Sequence, residues 1–297
     1  MKRLLAGMAV LCLTLAARAA DAPPPADVWR DVAPDNLVLI DTKYGETAVE
    51  LAPDFAPNHV ARVRALIRAH FYDGLSFYRV IDGFVAQGGI GEGTTSTKDH
   101  PKEAVDLDKK WPPLKAEFDR PMSGLTFTPL GNADLFAPEV GYVNGFPVGR
   151  DPKEEHAWIL HCPGTFAFAR DNDADTATTE FYIVIGEAPR RLDRQLTAFG
   201  RVIDGMQYLQ KLNRGDPAVD NGVIDDVSRR DAIIRMRLAS DIPAGERPHY
   251  QVMRTDSDAF AAEKAKKRDP APEFYHRKPS GILDICLMPP PVRKVAP

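Results

Sequence analysis

The chain has 297 residues, 44% of them hydrophobic and 27% charged, with a formal net charge of −4. That balance fits a soluble globular chain of one or two domains. Mild acidity, with no basic stripe carrying interleaved aromatics, argues against nucleic acid as a partner.

The first predicted element is a leader. Lys2 and Arg3 precede an apolar run at residues 4–17, which falls short of the roughly 20 residues that cross a bilayer. Ala17-Arg18-Ala19 is an A-x-A site that permits cleavage after Ala19. Residues 1–19 therefore read as a signal peptide, with no membrane span expected after its removal. The mature protein is expected to be exported, and a bacterial periplasm fits the short leader and the lack of N-x-S/T sequons. Cys162 and Cys286 are then the two remaining cysteines; they form one bridge in an oxidising compartment or stay as two thiols, and the sequence leaves both open.

Residues 20–35, rich in Pro, Ala and Asp, read as a flexible lead. NLVLIDTKYGETAVEL (36–51) predicts two strands around a turn at Tyr44-Gly45. Pro57 opens a predicted helix in which Val60, Val63, Leu66 and Ile67 recur at helical spacing, ending near His70. Strands follow at 75–81 and 84–88, turning through Asp82-Gly83. From Ile90 to His161 glycines, prolines and charges dominate, and the segment reads as irregular. Strand patterns resume at 164–170, 180–186, 196–202 and 232–239, with a helix expected at 204–212. In the tail, Ser257 caps a predicted helix over 257–268 that is acidic early and basic late, and the last residues look extended.

Several motifs fail on inspection. GGIGEG (88–93) opens no helix, so it is not a dinucleotide loop. Asp171, Asp173 and Asp175 imitate the start of a calcium loop, but Thr176 stands at the glycine position and Tyr182 at the closing glutamate position. His156, His161 and Cys162 lack a second Cys/His pair at metal-ligand spacing, so no metal and no cofactor are expected. One residue is harder to dismiss: Arg79, inside FYRVIDGFVAQGG (77–89), is a permanent charge in a strand-like apolar run.

Three blocks explain it. FYDGLSFYRVIDGFVAQGG (71–89), GTFAFARDNDADTATTEFYIVIG (164–186) and LDRQLTAFGRVIDGM (192–206) resemble the signature blocks of cyclophilins, the cyclosporin-type peptidyl-prolyl isomerases. The resemblance covers roughly 36–118 and 157–239. It implies a mainly β fold: an eight-stranded closed antiparallel barrel capped by two helices, here over 36–239. It leaves an insertion at about 119–156, expected as a loop region, and a C-terminal extension at 240–297.

By the same resemblance Arg79 is the catalytic arginine, oriented by Gln87, with proline-containing polypeptides as partners. Phe84 and Val85 build a proline pocket that Tyr182 and Leu192 close, and the backbone at Ala169 and Arg170 pairs with substrate. Glu180 stands in place of a glutamine near the arginine, where it pairs with Arg79 or with Arg170 or Arg191. Leu196 replaces a rim histidine or tyrosine, Tyr78 the histidine before the arginine, and Arg191 the tryptophan that contacts cyclosporin. Two functions stay open: an isomerase of exported proteins, or a weakly active peptide-binding module. The oligomeric state stays open as well.

Overall fold

The computed structural model describes residues 26–91, 98–271 and 273–295; the leader and residues 20–25 of the lead lie outside the described residues. Strand β1 (Trp29–Asp31) already pairs with a strand of the tail, so the lead is built into the fold from Ala26 onward. Val28 and Val32, on either side of it, are buried.

β2 (Leu37–Thr42) and β3 (Gly45–Leu51) form the expected hairpin, Thr42 facing Gly45. α1 (Pro57–Arg68) starts on Pro57, whose missing N–H costs nothing in the first turn, and buries Val60, Val63, Leu66 and Ile67. β4 (Ser76–Val80) and β5 (Val85–Gly89) turn through Gly83, which takes φ +68°, a left-handed conformation that suits glycine. Two single-turn helices follow, α2 (Pro101–Ala104) and α3 (Leu107–Lys110).

Part of the segment expected to be irregular, from residue 120 to 159, is a sheet. β6 (Arg120–Pro121), β7 (Thr128–Pro129), β8 (Glu139–Val143), β9 (Phe146–Asp151) and β10 (His156–Ile159) form an antiparallel sheet in the order β6-β10-β9-β8-β7. The overlooked signal is Asn144-Gly145, both at positive φ, the two-residue turn that joins β8 to β9. Gly141, Pro147 and Gly149 weaken strand propensity there, and tertiary packing overrides them.

β11 (Thr165–Phe168), β12 (Phe181–Val184) and β13 (Ala198–Asp204) lead to α4 (Met206–Leu209). This helix is shorter than the 204–212 expected. The chain beyond it is captured elsewhere, the Asn213 amide donating to the Asp231 carboxylate at 2.6 Å, while Leu209 and Leu212 still bury. β14 (Asp231–Ala232), β15 (Arg235–Leu238), β16 (His249–Met253), α5 (Asp258–Arg268) and β17 (Val292–Val295) complete the described chain. Ser257 caps α5, its hydroxyl accepting from the Phe260 amide at 3.2 Å.

Nine strands hydrogen-bond in the order β14-β4-β5-β12-β11-β13-β3-β2-β15, every pair antiparallel. The two end strands belong to one extended segment interrupted at Ile233-Ile234. There the Ile233 amide bonds the Leu75 carbonyl (2.7 Å) and the Ile234 amide the Asp41 carbonyl (2.8 Å). The eight strands expected thus appear as nine, in a curled sheet whose first and last strands are consecutive in the chain.

Period-two alternation sends Val38, Ile40, Val49, Phe166, Phe181 and Ile183 to the inner core with α1. The outer faces are apolar too. Leu37, Leu39 and Ala48 pack under Tyr250 and Val252 of the tail, and Val85, Ala167, Tyr182 and Val184 under Phe146, Val148 and Ile159 of the insertion sheet. Insertion and tail share a further core, in which Tyr142 and Trp158 meet Met253, Phe260, Ile285 and Met288. Cys162 and Cys286 are joined there as a disulfide.

Candidate active site

The site lies in one row across the outer face of the curled sheet. Antiparallel register sets Arg79 of β4 opposite Gln87 of β5, Gln87 opposite Tyr182 of β12, and Tyr182 opposite Ala167 of β11. Directly opposed residues project to the same face, so arginine, amide and phenol are neighbours although they are far apart in sequence. β4 carries one extra residue between Ser76 and Arg79, a bulge of the kind that re-aims side chains; Tyr78 joins the same cluster.

Arg79 is half-buried and held at two points. Its Nε donates to the Asn221 carbonyl (2.8 Å) and its Nη1 to Gln87 Oε1 (2.9 Å). Gln87 in turn donates through Nε2 to the Tyr78 hydroxyl (2.6 Å). Among the described residues nothing bonds Arg79 Nη2, so the guanidinium is fixed in direction while one nitrogen stays free for a ligand.

Beside it opens a cleft of about 660 Å³. Phe84, Val85, Tyr182, Leu192 and Leu196 make its apolar wall, and Ala169 and Arg170 its opposite edge. These are the expected residues. Ala167, Phe84, Leu196 and Tyr182 also pack against the insertion sheet, which therefore backs the pocket wall. Burial pushes the Tyr182 phenol far above its ordinary pKa, and nearby Asp193 adds to the shift.

Glu180 departs from expectation. It does not line the cleft and makes no ion pair with Arg79, Arg170 or Arg191. Its buried carboxylate accepts the Ile90 and Gly91 amides at 3.1 and 3.2 Å and faces the Thr179 hydroxyl. Arg170 instead donates to the Gln195, Asp171 and Asn172 carbonyls, tying the 171–172 and 195–196 turns together.

Other lining residues escaped the sequence reading: Asp171, Asp220, Asn221 and Val223. Asp220 and Asn221 both adopt positive φ, and the Asn221-Gly222 dipeptide marked a turn, but nothing local says that this turn reaches Arg79. His161 and Cys162, weighed as metal ligands, have other roles. Cys162 is in the disulfide, and the His161 ring lies between the Tyr182 hydroxyl and Asp193. No helix among the described residues is long and apolar enough to cross a membrane.

Comparison with known proteins gives the family. The family model described as Cyclophilin type peptidyl-prolyl cis-trans isomerase/CLD matches residues 37–237. A probable peptidyl-prolyl cis-trans isomerase of Brucella suis is 30% identical over 209 residues, covering 70% of this chain and 85% of that protein. A peptidyl-prolyl cis-trans isomerase of Helicobacter pylori is 27% identical over 189 residues, 63% of this chain and 85% of that protein. Among solved structures, a cyclophilin from Hirschia baltica superposes with a TM-score of 0.70 at 28% identity, covering 90% of this chain and 94% of that one. That coverage exceeds the span of the family match and so takes in residues outside 37–237. Signature blocks, curled antiparallel sheet and arginine-centred cleft coincide, and the chain belongs to the cyclophilin-type peptidyl-prolyl cis-trans isomerases.

Proposed function

We propose that this isomerase acts on X–Pro bonds of exported polypeptides and that Arg79 stabilises the twisted transition state. An X–Pro bond turns slowly because its resonance must be broken, against a barrier of about 18–20 kcal/mol. As the amide leaves planarity the proline nitrogen becomes pyramidal and regains a lone pair. A guanidinium N–H aimed at that nitrogen bonds it strongly only in the twisted state, which is differential binding of the transition state. The carrying observation is Arg79 held by Gln87 and Asn221 beside the apolar residues of a cleft of about 660 Å³.

The Ala169 amide already donates to the Glu180 carbonyl (2.8 Å), so a bound chain pairs with the Ala169 carbonyl and the Arg170 backbone instead. The weakly active alternative drew on Glu180 neutralising the arginine; the Glu180 carboxylate on the Ile90 and Gly91 amides favours the enzyme. Export is supported by the leader and by the Cys162–Cys286 bridge, a bond that persists in oxidising compartments.

Exchange NMR on an Ala-Pro peptide tests the mechanism. Arg79→Ala is expected to lower kcat/KM by about 10²-fold, the usual effect of removing one preorganised donor; parental turnover in that variant refutes it. Fractionation of a bacterium expressing the full chain tests export: the mature protein should leave the cytoplasm and begin at Ala20.

A further inference from the structure

Tyr182 places a phenol in a wall that has to be apolar, and its hydroxyl must be satisfied somewhere. That somewhere is His161, whose Nε2 lies 2.8 Å from Tyr182 Oη. His161 is fully buried and does not line the cleft, so the hydroxyl points out of the back of the pocket. The two rings lie nearly parallel, 15° apart. On the other side His161 Nδ1 is 3.2 Å from Asp193 Oδ1, which also accepts the His161 amide at 2.8 Å. Asp193 directly follows Leu192, another residue of the wall. It is held in turn by Arg190 (2.6 Å), and Arg190 grips Asp134 of the insertion with two bonds of 2.9 and 3.1 Å. The insertion is thus wired to the pocket by a buried polar chain running Asp134, Arg190, Asp193, His161, Tyr182.

We propose that His161 is a positioning residue for proline binding: its ring anchors the Tyr182 hydroxyl behind the pocket, so that the phenol shows bound proline only carbon. A carboxylate can only accept, so Nδ1 carries a proton for Asp193 and Nε2 is left to the phenol. Remove the imidazole, and a phenol O–H in a dry wall has lost its partner. It then turns toward the cleft or draws in water, and either change disfavours an apolar ring there. Arg79 is held instead by Gln87 and the Asn221 carbonyl, so the chemical step is spared. The inference rests on the isomerase reading of the cleft.

The experiment compares the parent with His161→Leu, Tyr182→Phe and the double variant, as full mature chains, by exchange NMR on an Ala-Pro peptide. His161→Leu should raise KM about tenfold, a difference of about 1.4 kcal/mol, with kcat within about threefold. Tyr182→Phe alone sets the reference KM for a pocket wall in which no hydroxyl needs a partner. The double variant should return to that value. Unchanged KM in His161→Leu, or a double variant as weak as it, overturns the proposal. Should the leucine variant not fold, the parent itself decides: its ¹H spectrum should hold a slowly exchanging proton that vanishes in Tyr182→Phe and survives peptide addition. Absence of that proton, or its loss on peptide binding, equally overturns the proposal. A parent that binds the peptide without turnover would instead count against the isomerase reading, leaving the proton test intact.

Discussion

In the proposed mechanism Arg79 is useful because it is held rather than because it is charged. Two of its nitrogens are bonded to Gln87 and Asn221, which removes most of the rotational freedom a surface arginine would keep. Glu180 is a different matter. Its carboxylate serves the Ile90 and Gly91 amides and has no bond to the arginine, so Glu180→Gln should change turnover by less than about fivefold, an effect of ~1 kcal/mol. A much larger rise, measured by the same peptide exchange, would mean that the carboxylate does restrain Arg79. Arg191, where the resemblance expects a cyclosporin-contacting tryptophan, is exposed and does not line the cleft. Cyclosporin should therefore bind weakly; nanomolar inhibition of the purified protein would contradict this.

The insertion is an element in its own right, and the Arg190–Asp134 pair is one of its tethers to the pocket. Burial raises the Asp134 carboxyl pKa, but the Arg190 fork and the Phe136 and Ala137 amides outweigh burial and hold it below the ordinary carboxylate range. A depressed folded pKa means that the unfolded chain takes up the proton first as pH falls. The stabilisation is then complete above the unfolded value of about 3.9 and is lost as pH drops through the folded pKa. Thermal melts should show the parent losing stability below about pH 4. Asp134→Asn should be weaker at pH 7 by about 3 kcal/mol, as when a buried pair is broken, and should fall less steeply in acid. Parallel acid profiles for the two proteins would remove Asp134 from this role.

On the scale of the whole molecule, the curled sheet is clad on both sides. The insertion covers β5, β11 and β12, the tail covers β2 and β3, and the two coverings meet around Trp158 and Phe260. The Cys162–Cys286 bridge spans 124 residues across that meeting point. Closing a loop of this order restricts the unfolded chain by about 5 kcal/mol in the entropic account. Reduction should therefore lower Tm by roughly 10 °C in a chain of this size. A melt indifferent to reductant would mean that the cysteines act as free thiols.

The sequence alone determined the row that sets Arg79 beside Gln87. Arg79 and Gln87 flank an Asp-Gly turn in strands whose side chains alternate, so their facing one another follows from local geometry, as does the α1 stripe of Val60, Val63 and Leu66. Leu37 to Ile40 are buried on both faces of β2. Which segment does the burying was not written locally: apolar burial is non-directional, and Leu37 is satisfied by any apolar cover. Only the tertiary structure decided that the tail covers Leu37 and Leu39, that the Asn221 turn reaches Arg79, and that His161 stands behind Tyr182. Each of these depends on contacts between distant parts of the chain, where short-range pattern has no leverage and packing has all of it.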